Sequence, residues 1–269
     1  MHQRRMGWRA ALGVVALTAA AANLLAQPSS QQPDAAAPPS IEPRADQVLR
    51  EMSEFLNSWR SLSFRVDSTL DAVRRNGRKI QLGMSEHVAA RRPGHLRVDM
   101  TGDEGDGRVY CDGKTFVMYD PDENTFATTA VPNELSAAID HVWEEFAIEV
   151  PVADLVYADP YAVLTEHVQS GQFVGKHTVN GVLCDHLAFT QETIDWQIWV
   201  EDGHRRLPRK MVVTYKQRQE SPQYTAVISN WRLDPKLSDH IFRFEPPADA
   251  HEIELLHVYD LVSTEGEEQ

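Results

Sequence analysis

The chain has 269 residues, and its 40 acidic and 26 basic side chains give a formal net charge of −14 at pH 7. An acidic surface repels phosphate backbones and anionic membrane surfaces, so we expect no nucleic-acid partner. Only two cysteines occur, Cys111 and Cys184, which excludes a scaffold that depends on disulfides.

The first 26 residues have the pattern of a secretory signal peptide. Three arginines precede the apolar run 10–26, and either Ala22 or Ala26 suits cleavage. The run is short and rich in alanine, which disfavours a membrane-spanning helix, and a retained N-terminal anchor is the alternative. Removing it leaves 243 residues (269 − 26) with a charge balance of −17 (23 − 40). We expect a soluble periplasmic protein with no stable membrane span after processing.

A spacer and an amphipathic helix follow the signal peptide. Residues 27–44 are rich in Pro, Ala, Ser and Gln and lack an apolar period, which predicts a disordered spacer. Residues 44–61 then show helical spacing of apolar side chains. The apolar positions are Val48, Met52, Phe55, Trp59 and Leu62.

A long region of alternating apolar and polar residues covers 62–129. Turn pairs at Asn76-Gly77, Pro93-Gly94 and Asp112-Gly113, together with an acidic turn at 102–107 and a loop at 120–124, divide it into about six short strands. Strands joined by short turns are typical of one antiparallel sheet. Helices are predicted next, one over 133–146 and one that starts at Asp159-Pro160.

The second half begins with the strongest hairpin signal of the chain. Asn180-Gly181 suits a two-residue type I′ turn, so 173–179 and 182–189 should pair, followed by a strand over 194–200. Later strands are predicted at 209–215, 224–231 and 241–244. The order of elements indicates an α+β fold over residues 45–255, in which a large antiparallel sheet curls around a few helices. An acidic tail, 256–269, completes the chain.

Five long segments resemble an uncharacterised family of predicted periplasmic proteins, a domain of unknown function. They are DGKTFVMYDPDENTFA (112–127), VPVADLVYADPYAVL (150–164), VGKHTVNGVLCDHLAF (174–189), DWQIWVEDG (195–203) and LPRKMVVTY (207–215). The family's fold is similar to that of the Lol-type lipoprotein carriers and of a periplasmic sigma-factor regulator. The strand pattern gives about 11 strands, and the resemblance implies that they form an unclosed half-barrel with an apolar cavity for acyl chains. No residue here matches a particular lipid-contacting residue of the carriers.

The predicted function is non-enzymatic binding of an apolar small molecule, lipid or lipoprotein between the sheet and its helices. An unfilled apolar cavity is costly unless a ligand occupies it. The candidate lining residues are Phe55, Trp59, Leu62, Phe64, Val66, Ile80, Leu82, Met84, Leu96, Val98, Ile139, Trp143, Trp196, Ile198 and Val200. The main alternative is a sensory or protein-binding module that recognises an envelope protein through the same groove or a sheet edge.

A metal site and an enzyme are the remaining hypotheses. In the predicted hairpin His177, Cys184 and His186 share one face, and such side chains bind Zn²⁺ or Cu. No fourth ligand is evident, and an ordinary half-buried strand explains the same pattern, so no cofactor is expected. The sequence contains no HExxH, GxSxG, P-loop or GxGxxG motif, so an enzyme is only the third interpretation. In an oxidising compartment the two cysteines could pair, and we favour two free, half-buried thiols.

Overall fold

The computed structural model describes residues 40–255 except 75, 147 and 149–151. The predicted signal peptide, residues 27–39 of the predicted spacer and the predicted acidic tail lie outside the described residues.

Thirteen strands within the described residues form one open sheet, in the spatial order β1-β8-β9-β10-β11-β12-β2-β3-β4-β5-β6-β7-β13. Their bounds are β1 Ser40–Ile41, β2 Ser61–Val73, β3 Lys79–Arg91, β4 His95–Gly102, β5 Gly105–Asp112, β6 Thr115–Asp120, β7 Thr125–Ala130, β8 Ser170–Val179, β9 Val182–Thr190, β10 Ile194–Glu201, β11 Pro208–Tyr215, β12 Gln223–Leu233 and β13 His251–Glu252. Neighbouring strands are antiparallel except at the two edges, where β1 and β13 pair in parallel with β8 and β7. The predicted α+β fold with an unclosed curled sheet is confirmed, with thirteen strands instead of about eleven.

Three α-helices accompany the sheet in the described part of the chain: α1 Pro43–Asn57, α2 Leu135–Phe146 and α3 Pro160–Thr165. Asp159 caps α3 as predicted, because its side chain accepts a hydrogen bond from the Ala162 N–H. Helix α1 is shorter than predicted. The chain leaves it at Ser58, because Ser61 already pairs with Arg91 at the start of β2.

The tight turn between β8 and β9 is confirmed. Asn180 and Gly181 have φ values of 47° and 81°, which is the left-handed backbone that a type I′ turn requires. Val179 and Val182 pair directly beside the turn. The local sequence was therefore enough to place this hairpin and its register.

Two segments differ from the predictions. Strand β1 lies inside the predicted spacer, where the Ser40 N–H donates to the Gln169 carbonyl (3.0 Å) and Ile41 packs against the core. Residues 241–244 do not form a strand. Instead a 3-10 helix, Asp239–Phe242, places Phe242 under the Arg91 guanidinium and beside the His95 ring. Burial of these aromatic and aliphatic groups explains both differences, because it depends on partners distant in sequence.

The two faces of the sheet have different environments. We call the face that packs against the helices the inner face and the opposite one the outer face. Leu62, Phe64 and Val66 of β2 lie on the inner face and share one core with helix α1. On the outer face Phe244 contacts the rings of three residues on β5, β6 and β7. These are Tyr110, Tyr119 and Phe126.

Candidate ligand-binding site

Nine of the predicted lining residues are almost completely buried on the inner face or on the helices that cover it. They are Leu62, Phe64, Val66, Leu96, Val98, Ile139, Trp196, Ile198 and Val200. All belong to one continuous hydrophobic cluster together with α1. A side chain beside a water-sized space would keep some accessible surface, and several of these keep none. This part of the inner face is therefore packed core.

The aromatic residues predicted on the helical side have two different environments. Phe55 and Trp59 are half-buried at the margin of the core, with ring centroids 6.0 Å apart. The prediction for Trp143 is wrong, because its side chain is 48% exposed. Successive helical residues are rotated by about 100°, so Trp143 points away from the buried stripe that contains Val142. That stripe consists of Leu135, Ala138, Ile139 and Val142.

Strands β2 and β3 extend beyond their neighbours and carry a half-buried apolar strip. Pairing of β3 with β4 begins at Met84, whereas pairing of β3 with β2 continues to Val73. On the extension Leu70 pairs with Leu82 on the inner face. We call this strip the apolar rim, and it consists of Leu70, Ala72, Ile80, Leu82 and Met84, all of intermediate burial. Three predicted lining residues, Ile80, Leu82 and Met84, therefore lie where the inner face opens.

A carboxyl group lies where the apolar rim meets the packed core. Glu86 follows Met84 on the inner face of β3 and is 2% exposed. Its Oε1 accepts a hydrogen bond from the Ser68 hydroxyl (3.2 Å), and no partner reaches Oε2 among the described residues. Burial, and to a smaller extent the nearby Asp67 charge, raise the pKa of Glu86 to about 7. The hydrogen bond from Ser68 acts in the opposite direction and lowers this pKa.

Sequence reasoning missed Glu86, although a signal was present. The alternation along β3 places residues 80, 82, 84, 86, 88 and 90 on one face, and all except Glu86 are apolar. A charged residue at a position predicted to lie in the core breaks the alternation of apolar and polar residues, and such an exception indicates a function. The exception could therefore have been noticed from the sequence.

The predicted metal residues lie on the outer face, away from the packed core. His177 pairs with Cys184 in register, as predicted. The Nδ1 atoms of His177 and His186 are 3.0 Å apart, and Nε2 of His186 lies 2.9 Å from the Gln197 Oε1. The His186 ring also stacks on Trp199, with centroids 3.9 Å apart. Both histidines are thus engaged by each other and by neighbouring side chains.

The metal hypothesis gains no support from this arrangement and stays a prediction. Across the described residues, no group of three or more His, Cys, Asp or Glu side chains has an arrangement that holds a metal ion. Burial raises the pKa of the Cys184 thiol to about 11, so the thiolate that a metal requires is disfavoured. Burial disfavours the charged imidazolium of His186 and therefore lowers its pKa.

Both cysteines are free, as predicted, and they are fully buried instead of half-buried. Cys111 belongs to the inner core, whereas Cys184 shares the outer face with His177. Burial raises the pKa of Cys111 to about 11 as well. The sheet itself separates the two thiols.

A buried ionic cluster connects helix α1 to the sheet. The carboxylate of Asp185 is inaccessible to solvent, and its Oδ2 accepts hydrogen bonds of 2.9 Å from both Arg44 and Arg206. Arg206 also pairs with Glu51 of α1 at 2.7 Å. Lys176 lies opposite Asp185, with its Nζ 4.0 Å from Oδ1. The cluster holds the N-terminal half of α1 against β9.

An open pocket of about 470 Å³ lies at the other edge of the sheet, beside β7 and β13. Its lining consists of Thr128, Thr129, Phe146, Glu252, Ile253, Glu254 and Leu255. None of the predicted lining residues borders it.

Comparisons with solved structures give a similar fold at low identity. Lipoprotein LppX from Mycobacterium tuberculosis is 13% identical with a TM-score of 0.47, covering 73% of this chain and 100% of that one. An uncharacterised conserved protein from Thermus thermophilus is 10% identical with a TM-score of 0.47, covering 78% and 99%. A LolA superfamily protein from Nitrosomonas europaea is 12% identical with a TM-score of 0.37, covering 74% and 97%. These likenesses concern the fold alone.

The comparison with curated proteins found no match. In the part of the chain that the structure describes, no helix has the length and apolarity to cross a membrane. A family model, "Predicted periplasmic protein (DUF2092)", matches residues 45–256. The resemblance inferred from the sequence is therefore confirmed, and the chain belongs to the DUF2092 family of predicted periplasmic proteins.

Proposed function

We propose that this protein is a non-enzymatic periplasmic binding protein that holds the apolar part of a lipid or lipoprotein between its curled sheet and its helices. The observation that carries the proposal is the apolar rim. Five apolar side chains in register on two extended strands remain only half-buried, and they continue directly into the packed inner face. Contiguous exposed apolar surface commonly marks a ligand or partner site.

The rim accommodates the start of an apolar chain without displacing the core. Deeper insertion requires helix α1 or α2 to move away from the inner face, because the residues there leave no water-sized space. Apolar contacts with the ligand would replace the helix contacts that are lost. Loss of helix packing is thus the cost of loading, and burial of an acyl chain offsets it at about 0.8 kcal/mol per CH₂ group.

Native mass spectrometry of the protein purified from its own envelope, followed by solvent extraction, tests this proposal. We expect a bound lipid, and we expect Leu82→Asp to reduce the bound fraction because it places a charge in the rim. The matched control is Gln81→Asp, next to Leu82 on the exposed outer face. An empty wild-type protein, or equal occupancy in both variants, would contradict the proposal.

Protein binding at the β8 edge is the second candidate function. Strand β1 pairs with β8 only at Ser170 and Gly171, and the hairpin beyond carries Val174 and Leu183 at 44% and 47% exposure. An exposed strand edge can accept a strand from a partner. A polypeptide that co-purifies with the wild type and is lost in Val174→Lys would favour this function over lipid binding.

The proposal includes export and removal of residues 1–26 or 1–22, which the family description as periplasmic supports. N-terminal sequencing of the exported protein checks this. Recovery of an intact Met1 on a membrane-bound species would contradict it.

A further inference from the structure

We propose that Glu86 and Ser68 anchor the polar end of the ligand, and that this ligand is an uncharged amphiphile with a hydroxyl group at that end. The inference rests on the proposed function and narrows its ligand class. It adds a polar recognition element to a surface that is otherwise apolar.

Glu86 lies on the inner face of β3 among buried neighbours. Its strand partners are Val66 on β2 and Met100 on β4, both buried inner-face residues. Ser68 pairs with Met84 and therefore lies diagonally across from Glu86. The two polar side chains form a small hydrogen-bonded pair between a packed core on one side and the apolar rim on the other.

One oxygen of the Glu86 carboxyl group, Oε2, has no hydrogen-bond partner among the described residues. Oε1 of Glu86 is occupied by the Ser68 hydroxyl, but Oε2 is buried without a hydrogen-bond partner among the described residues. Buried polar atoms are almost always paired, and an orphan of this kind costs about 1–3 kcal/mol. A ligand group that pairs with Oε2 recovers this cost, which makes the orphan a recognition point.

The apolar rim leads from solvent towards Oε2 of Glu86. Burial along the inner face of β3 is complete at Val88 and Glu86 and becomes partial from Met84 to Ile80. Because Oε2 itself has almost no accessible surface, an apolar chain that lies along Met84 and Leu82 reaches it only when the side chains that cover it move aside. The polar end of the ligand then lies at the boundary between the apolar rim and the packed core, and its apolar chain covers the rim.

The chemistry of the pair selects the polar group. No cation is among the groups that perturb Glu86; the charge that acts on it is Asp67, on the opposite face of β2. An anionic ligand end would therefore meet a carboxyl group and no counter-charge. A hydroxyl group can donate to the ionised carboxylate and can accept from the protonated acid, so it pairs with Oε2 in either state.

Displacement of the apolar dye Nile red by 1-dodecanol and by dodecanoate at pH 7.5 tests the anchor. The two competitors have equal chain lengths and differ only at the polar end. We expect the wild type to bind the alcohol about 10-fold more tightly than the carboxylate, which corresponds to about 1.4 kcal/mol. In Glu86→Leu the preference should shrink to about 2-fold or less, because the acceptor is lost. Glu86→Gln keeps an acceptor for the alcohol but removes the charge and adds an N–H donor. It should therefore bind the alcohol about as tightly as the wild type does and lose most of the discrimination against the carboxylate.

Two results separate this inference from the proposed function. If both competitors bind the wild type equally, or if Glu86→Leu keeps the full preference, the anchor is refuted while apolar binding stands. If neither competitor displaces the dye and no lipid is extracted from the purified protein, both proposals fail. The melting temperature of each variant shows whether it is folded, and Glu54→Gln, at an exposed position of α1, is the control for loss of a carboxylate.

Discussion

Two carboxylates on adjacent strands show how the faces of the sheet differ. Asp67 on the outer face of β2 receives hydrogen bonds from Arg65 and Ser85, and Arg65 holds the pKa of Asp67 below its usual value. Glu86 on the inner face of β3 receives one bond from Ser68, and burial raises its pKa to about 7. The two residues lie on neighbouring strands, yet the alternation of the strands gives them opposite electrostatics.

A third carboxylate separates the effect of burial from the effect of a cationic partner. Asp185 is also buried on the inner side, because its neighbour across the strands is Val200. Unlike Glu86, it is held by Arg44 and Arg206. Burial alone does not make a carboxylate a site for ligands. Glu86 differs from Asp185 because it is buried with no Lys or Arg bound to it among the residues that the structure describes.

The largest effect is expected for Asp185→Ala. The substitution removes the buried acceptor that Arg44 and Arg206 share and leaves Arg206, 14% exposed, with fewer acidic partners. We therefore expect a loss of about 3 kcal/mol in the free energy of unfolding. Urea denaturation at pH 7 measures it. Glu192→Gln, at an exposed turn position, is the control. A loss below about 1 kcal/mol, the range of an exposed pair, would mean that the cluster does not secure α1 against β9.

The effect expected for Glu86→Gln depends on pH, and it approaches that of Asp185→Ala only at the alkaline end of the range. The unfolded carboxyl ionises near pH 4.5, whereas the folded one keeps its proton up to about pH 7. The folded state therefore holds more protons within this window, so wild-type stability falls as the pH rises through it, by about 3 kcal/mol in total.

Urea denaturation of Glu86→Gln between pH 4.5 and 8 measures this dependence. We expect the variant to lack most of the fall and to be more stable than the wild type at pH 8. Glu54→Gln should retain the wild-type slope. If Glu86→Gln shows the same slope as the wild type, Glu86 is solvated and the contrast between the two faces is wrong.

The smallest effect is expected for Asp67→Asn. Its pair with Arg65 lies in solvent on the outer face, where both side chains are about half exposed. Exposed ion pairs contribute little, so the free energy of unfolding should change by less than about 1 kcal/mol. The change should shrink further at high salt, which screens exposed charges. A loss as large as that of Asp185→Ala would show that the outer network is structural.

The sequence by itself determined the local structure of this protein. Alternation of apolar residues and the turn pair Asn180-Gly181 predicted the meander strands, the hairpin and the register that places His177 opposite Cys184. These features depend on backbone preferences and on side-chain periods within a few residues. For the same reason the family resemblance, which rests on continuous strings, was available before the structure.

Only the tertiary structure decided what covers each face of the sheet and which side chains meet there. The sequence placed His177, Cys184 and His186 on one face but could not show that it is the outer one, away from the helices. It placed Trp143 on α2 but not its rotation towards solvent. It did not show that Phe242 would pack beside His95 or that Glu86 would be buried beside Ser68. Burial and partnership depend on groups brought together from distant parts of the chain, and no local pattern contains that information.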